Sequence, residues 1–324
     1  MTVAEETLPR PDTGSAKVPW ARVGDLAELG HRMLPLGALC RLSAWRGRLL
    51  YGLRRREAEA LRKNLAPLAR GNDDAATLAR RFLEEQQIRR LLIILAPRLG
   101  TEELRRLLPL RGLENLERAL AGGSGAILLL SHLHSLGGLL AVVLLRRLGH
   151  DVRVAVPTLE DPWSTTRARR LLSRILGPEE TLAQQIGGFP CQFNIRPIVR
   201  ALKGGTAVAQ TGDGWHSASF VDVQFLGRTL PFPTGMLSIA RLTGVPVVPL
   251  FVTGPATRME VLIEEPFQVA RSEAALEEAV GRYAARLEEL IRAWPAAWEH
   301  WATPDTLDTL ASWRERPLRE RYEV

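Results

Sequence analysis

The sequence predicts an α/β fold, a mixed sheet flanked by helices with a helical N-terminal layer, and three observations carry that reading. Up to about residue 121 apolar residues recur three and four apart, as in LARRFLEEQQIRRLLIILAPRL, which is helical spacing. From residue 125 short aliphatic runs alternate with helical stretches, AILLLS, GGLLAVVLLRRLG and DVRVAVP, the alternation of strands with covering helices. The last long segment, Ser272 to Ala293, is again amphipathic at helical spacing, with acidic residues early.

Taken in order, residues 1–24 are rich in Thr, Glu, Pro, Gly and Ala and lack an apolar core, so they read as a loose tail rather than a signal peptide. Residues 25–324 read as one domain, with 25–121 a helical layer and 122–324 an α/β core, because no stretch between them has a linker's composition. Met33 to Leu53 is apolar in parts. Arg41, Arg46 and Arg48 interrupt it, and each costs about 2.5–3.5 kcal/mol at a bilayer centre. An amphipathic helix is expected there, either lying at a headgroup surface with Trp45 and Tyr51 or packed on the domain with its arginines snorkelling. Pro97 ends the next helix, and TEELRRLL opens with Thr101 as N-cap. Ser124 to Leu145 is long enough to span a membrane, yet a serine, two histidines and a Gly pair sit inside it, so a buried strand and helix explain it better.

A helix EDPWSTTRARRLLSRILG and a loop from Ala183 to Gln192 follow, then the helix NIRPIVRALKGG, closed by its glycines, and the strand TAVAQT. SFVDVQFLG and RTLPF form an antiparallel pair turning at Gly227 and Arg228. A helix from Thr234 to Thr243 and the strands VPVVPLFVTG and RMEVLIE complete the core.

Composition narrows the function. At 324 residues and 46% hydrophobic the chain buries a large core, and it shows no repeat at a fixed period. Cys40 and Cys191 stand far apart with no Cys/His cluster, which argues against a disulfide framework or zinc site and fits a reducing compartment. The net charge of +7 gathers in arginine runs such as Arg54 to Arg56, Arg89 and Arg90, and Arg105 and Arg106. Each run reads first as a solvated helix face. Together they suit anionic lipid or an acidic carrier protein, and without an aromatic RNA-binding strand, zinc finger or recognition helix no nucleic acid is expected.

The chemistry centres on LLLSHLHSLGG, Leu128 to Gly138. An apolar strand delivers His132 to its tip, a second histidine, His134, follows, and a Gly pair including Gly137 leads into a helix. A histidine so placed can serve as a general base, or it can be an ordinary core residue; His134 reads more as a supporting group. Asp213 lies in QTGDGWH directly after a strand, between Gly212 and Gly214, where amides are exposed. The plain alternative is a turn. In PFPTG, Thr234 is a natural N-cap and Gly235 permits close approach to a helix start able to receive a phosphate or oxyanion.

The order of these elements resembles the lysophospholipid acyltransferase superfamily, and within it the bacterial lipid A biosynthesis (lauroyl/myristoyl) acyltransferase branch. The similarity runs from about Leu34 to Trp301, through ILLLSHLHSLGG, RPIVRALKGGTAVAQTGD and VQFLGRTLPFPTGMLSIARLTGVPVVPLFV to WPAAWEHW. The resemblance implies a glycerolipid acyltransferase-like fold. It also implies acyl transfer from acyl carrier protein or coenzyme A thioester, as co-substrate, to a hydroxyl or amine acceptor, with no other cofactor and no metal.

By the same resemblance His132 is the base of the family's HxxxxD/E motif, Asp213 its later acid, and Thr234 and Gly235 a substrate contact region. Gly212, Gly214 and Arg196 are expected beside the substrate. The location implied is cytoplasmic, peripheral on the inner face of the inner membrane, where an anionic surface is a further partner.

The departure is Gly137, where the motif places a carboxylate. Three readings stay open. Asp213, Glu160, Asp161 or, less well, His134 supplies the partner; or the acceptor is easy to deprotonate and Gly137 makes room for it; or the chain is a catalytically degenerate acyl-chain or lipid-binding protein.

Overall fold

A computed structural model of the chain describes residues 34–71, 73–96, 99–156, 189–190, 195–214 and 217–315. The expected tail, the helix carrying Arg167, Arg169, Arg170 and Arg174, and Cys191, Glu160 and Asp161 lie outside them; of the loop expected from Ala183 to Gln192 only 189–190 are described, and they form a two-residue strand instead, paired parallel with 155–156.

Among the described residues the N-terminal layer opens with three helices, α1 (Leu36–Leu53), α2 (Arg55–Leu65) and α3 (Ala75–Leu95). Asp74 caps α3 by accepting from Thr77 N at 2.7 Å. α1 crosses α3 at Gly47, where a Cβ would stand 2.5 Å from Glu84 Cα, so backbone meets backbone and only glycine fits. The outward side of α1 keeps Leu42, Trp45, Leu49 and Leu53 exposed. Among the described residues no helix is long and apolar enough to cross a membrane.

Two expectations for this layer are corrected. The helix α4 (Thr101–Leu107) is preceded by Gly100 as its N-cap, with no side-chain cap, so Thr101 is its first residue. The layer is also not all helix. Leu110–Arg111 forms β1, pairing with β9 (Glu260–Ile263), because Pro109 before it and Gly112 at φ 79° after it stop helix continuation on either side. A two-residue strand has no period to read.

The helix α5 (Leu113–Leu120) leads to the sheet strands β2 (Ile127–Leu130), β3 (Val152–Val156), β4 (Phe189–Pro190), β5 (Ala207–Thr211) and β8 (Val247–Thr253). Among the described residues the sheet order is β1-β9-β8-β2-β5-β3-β4. From β8 to β4 neighbours are parallel, and β9 runs antiparallel to β8, which makes the sheet mixed. β6 (Phe220–Phe225) and β7 (Arg228–Pro233) pair separately as an antiparallel hairpin through Leu226 and Gly227.

The central strands are buried on both faces, hence their unbroken aliphatic runs. Alternation sorts their side chains: Ile127, Leu129 and Val208 join one apolar cluster, and Leu128, Leu130 and Ala209 the other. The first cluster is covered by α9 (Glu273–Ala293), whose start Ser272 caps by accepting from Ala275 N at 3.1 Å, and by Trp298 and Trp301. The second is covered by α4 and α6 (Ser135–Arg147). Helices α7 (Arg196–Lys203) and α8 (Gly235–Thr243) stand where the glycine stops and the PFPTG turn anticipate them.

Candidate active site

β2 and β5 lie side by side and parallel, with Leu130 opposite Thr211. Two residues further along each strand's exit stand His132 and Asp213, so the register alone brings them together at the carboxyl edge of the sheet, the usual binding edge of parallel strands. His132 Nδ1 donates to Asp213 Oδ1 at 2.9 Å, and the His132 amide donates to both carboxylate oxygens at 2.9 and 3.0 Å. Trp298 Nε1 adds a bond to Oδ2 at 3.0 Å. With Nδ1 engaged, Nε2 is the ring nitrogen left for other work.

Burial pulls the His132 pKa down, but the charge and hydrogen bond of Asp213, with a further contribution from Glu299, outweigh it and leave the imidazole above its ordinary value. Burial pushes Asp213 up. The charge and hydrogen bond of His132, then His300 and Trp298, overcome this and bring it to about 2.

The C-terminal turns close the back of this pair. His300 Nε2 donates to the Asp213 carbonyl at 3.0 Å, and its ring centroid lies 4.1 Å from that of His132. Trp298 packs edge-on against His300 at 5.0 Å. On the other flank Tyr283, from α9, donates to Leu130 O at 2.6 Å. No motif in the sequence marks Trp298, His300 or Tyr283 as part of the site. The signal available was the density of Trp and His in WPAAWEHW, which carries no periodicity because it folds into short 3₁₀ turns.

His132 opens on a cavity of about 200 Å³. Gly212, Gly214 and Gly235 are among its lining residues, with the apolar side chains of Leu130, Leu139, Val154, Met236 and Leu237. Gly212 is required, since a Cβ there would stand 2.9 Å from Leu129 Cδ1 and from the Tyr283 ring. Its amide already donates to Leu130 O at 2.8 Å. The amides of Gly235, Met236 and Leu237 precede the first bond of α8, from Ser238 N to Thr234 O, and so belong to the unpaired start of a helix.

The remaining sequence candidates fall elsewhere. His134, expected beside the base, is 0% exposed and faces the opposite way, its Nε2 donating to Gly254 O at 2.8 Å and its Nδ1 lying 3.3 Å from Arg89 Nη1. Burial and then the Arg89 charge drive its pKa to about 3, so it is neutral and outside the cavity. Gly137 does not touch the cavity either. A Cβ there would meet Val252 Cγ1 at 3.0 Å, Met259 Sδ at 3.2 Å and His134 Cβ at 3.4 Å, so the position faces packed interior.

Thr234 is 3% exposed and sits in the N-cap position without capping. Its hydroxyl pairs with Ser219 Oγ at 2.5 Å because its backbone has already turned helical. Arg196 opens α7 on the surface, away from the cavity lining. Arg89, expected on a solvated face, is 2% exposed.

Among the described residues His132, Asp213 and His300 place ligand atoms within 4.8 Å of one another. The Asp213 carboxylate, however, already accepts from the His132 amide, the His132 ring and Trp298, and the His300 nitrogen is turned to the Asp213 carbonyl. This is the bonding of an oriented histidine and acid rather than of a metal ligand set. A family model described as bacterial lipid A biosynthesis acyltransferase matches residues 16–304. A search of the curated proteins gives no match.

Proposed function

This chain belongs to the bacterial lipid A biosynthesis acyltransferase family, and from that premise we propose that it transfers a fatty acyl group from a thioester, carried by acyl carrier protein or coenzyme A, to a hydroxyl or amine. The observation that carries the reading is the His132–Asp213 pair at 2.9 Å opening on a cavity lined by glycines and apolar side chains.

In this reading His132 Nε2 removes the proton of the acceptor O–H or N–H as that atom attacks the thioester carbonyl. Asp213 fixes the ring tautomer through Nδ1 and balances the imidazolium that forms. When the carbonyl re-forms and the carbon–sulfur bond breaks, the same nitrogen returns the proton to the departing thiolate. Charge on the tetrahedral oxygen is met by the unpaired amides at the start of α8, from Gly235 to Leu237, rather than by Gly212, whose amide is already bonded. The acyl chain lies along Leu139, Val154 and Met236.

The same proposal places the protein on an anionic membrane at the cytoplasmic face. Leu42, Trp45, Leu49 and Leu53 are spaced three and four apart and share one exposed face of α1, with Arg41, Arg46 and Arg48 exposed beside them. That pattern suits a helix lying in the headgroup region.

The test is incubation of the chain with acyl carrier protein and coenzyme A thioesters plus candidate acceptors, followed by intact mass analysis. Loss of the acyl group that disappears in His132→Ala supports the enzyme. No turnover with any donor, together with tight fatty-acid binding, would mean an acyl-binding protein instead.

A further inference from the structure

Behind the histidine loop lies a buried polar cluster that the dyad does not use. Arg89, from α3, holds Nε 3.3 Å from Glu299 Oε1, and Nη1 at 3.5 Å from Glu85 Oε2 and 3.3 Å from His134 Nδ1. The Arg89–Glu299 approach is one of charge rather than an aligned hydrogen bond, since Oε1 has no hydrogen-bond partner.

The second Glu299 oxygen accepts from Ser135 Oγ at 2.5 Å, on the first residue of α6. The Glu299 amide donates to the His132 carbonyl at 3.0 Å. Glu299 thereby ties the main chain of His132 to the helix that follows it. His134 completes the frame in the left-handed region at φ 49°, a conformation that a non-glycine residue holds only where its surroundings enforce it.

We propose that Glu299, anchored by Arg89 and Ser135, is a positioning acid for His132, holding its loop against Asp213 and supplying a second negative charge beside it. The inference rests on reading His132 as the base, and it adds a residue to that site that acts through His132 without touching substrate. The groups facing His132 are Asp213 from the exit of β5 and Glu299 and His300 from the C-terminal turns. Arg89 and Glu85 on α3 and His134 on the same loop stand behind. Glu299 is the one whose removal leaves both the dyad bond and the ring packing in place.

The experiment follows the His132 ring by NMR titration in the full-length chain, its signal assigned with His132→Ala. In Glu299→Gln, which keeps a hydrogen-bonding group for Ser135, the His132 midpoint moves to lower pH. The acid limb of kcat moves with it, and kcat falls about tenfold at unchanged KM, the effect of losing one interaction with a charged group. In Arg89→Gln, which releases the Glu299 carboxylate from its anchor, the midpoint moves in the same direction by less; a merely structural role would move neither.

A folded Glu299→Gln protein whose His132 titrates as in the parent overturns the proposal. Should that variant not fold, Arg89→Gln decides alone, a lowered midpoint supporting and an unchanged or raised one overturning. If the parent turns over no thioester while the midpoints shift as stated, the acyl-transfer reading fails and the positioning of His132 by Glu299 stands.

Discussion

His132 and His134 stand two residues apart in one loop, and the structure treats them oppositely. The first meets a carboxylate, keeps part of its side chain open to a cavity and is held above its ordinary pKa. The second meets a guanidinium and a carbonyl, is sealed from solvent and is driven to about 3. The lesson is that neighbours across the fold, not neighbours along the chain, decide what a histidine can do. Residues two apart would share a face had the strand run on, but β2 ends at Leu130 and the left-handed turn at His134, φ 49°, swings its side chain round, so the front of the loop faces the substrate edge and the back faces α3.

The strongest way to break this contrast is to remove the front partner. Asp213→Asn keeps the shape but takes away the charge and the tautomer control, and acyl transfer is expected to fall by about four orders of magnitude, as in the serine protease triad. Steady-state rates with a thioester donor check it; a loss of less than tenfold would mean that Asp213 is only a turn residue.

Restoring the motif acid at the back is the next test. Gly137→Glu would push a carboxylate among Val252, Met259 and His134, not toward His132. It is expected to destabilise the fold by about 3 kcal/mol or more through overpacking and an unpaired buried charge, with no gain in activity. Denaturant unfolding and rates together decide, and a faster, undiminished protein would refute the placement of residue 137.

The pH dependence of stability sharpens the comparison further. His134 is neutral in the fold down to about 3 against an ordinary 6.5, so the stability it contributes is full above pH 6.5 and is lost as pH falls toward 3. Glu85 works the other way. Burial, only partly offset by Arg89, raises it from 4.5 to about 7, so its contribution is full below 4.5 and is lost as pH rises through 7. His132, raised by Asp213 against its own burial, likewise contributes below its unfolded value and loses that contribution at higher pH.

Between pH 4.5 and 6.5 the His134 and Glu85 slopes therefore oppose each other, and His134→Gln exposes the Glu85 slope, with stability falling as pH rises. Urea midpoints across that interval test it, and identical slopes in parent and variant would reject it. The smallest effect is expected farthest from the loop: Trp45→Ser on α1 should weaken binding to anionic vesicles several-fold while leaving turnover of a soluble acceptor unchanged, as vesicle co-sedimentation would show.

The longer strands, their helices and the strand-end positions of His132 and Asp213 could be read from the chain, because periodicity and glycine placement are local properties; the two-residue strands β1 and β4 could not. The pairing of His132 with Asp213 could not be fixed, because it depends on the Leu130–Thr211 register, which no local pattern specifies. Gly137 reads as a gap in a motif only until its direction is known. Arg89 reads as one more surface arginine because its partners lie on the far side of the fold. Trp298, Glu299 and His300 fold into turns that leave no periodic trace, although they complete the site.

That last fact bears on how the protein is made. The histidine emerges from the ribosome well before the tryptophan that holds its aspartate, with more than half of the distance to residue 301 still to be synthesised. A copy clipped just after α9 loses Trp298 and His300, the rear of the pair, while keeping every described strand of its sheet.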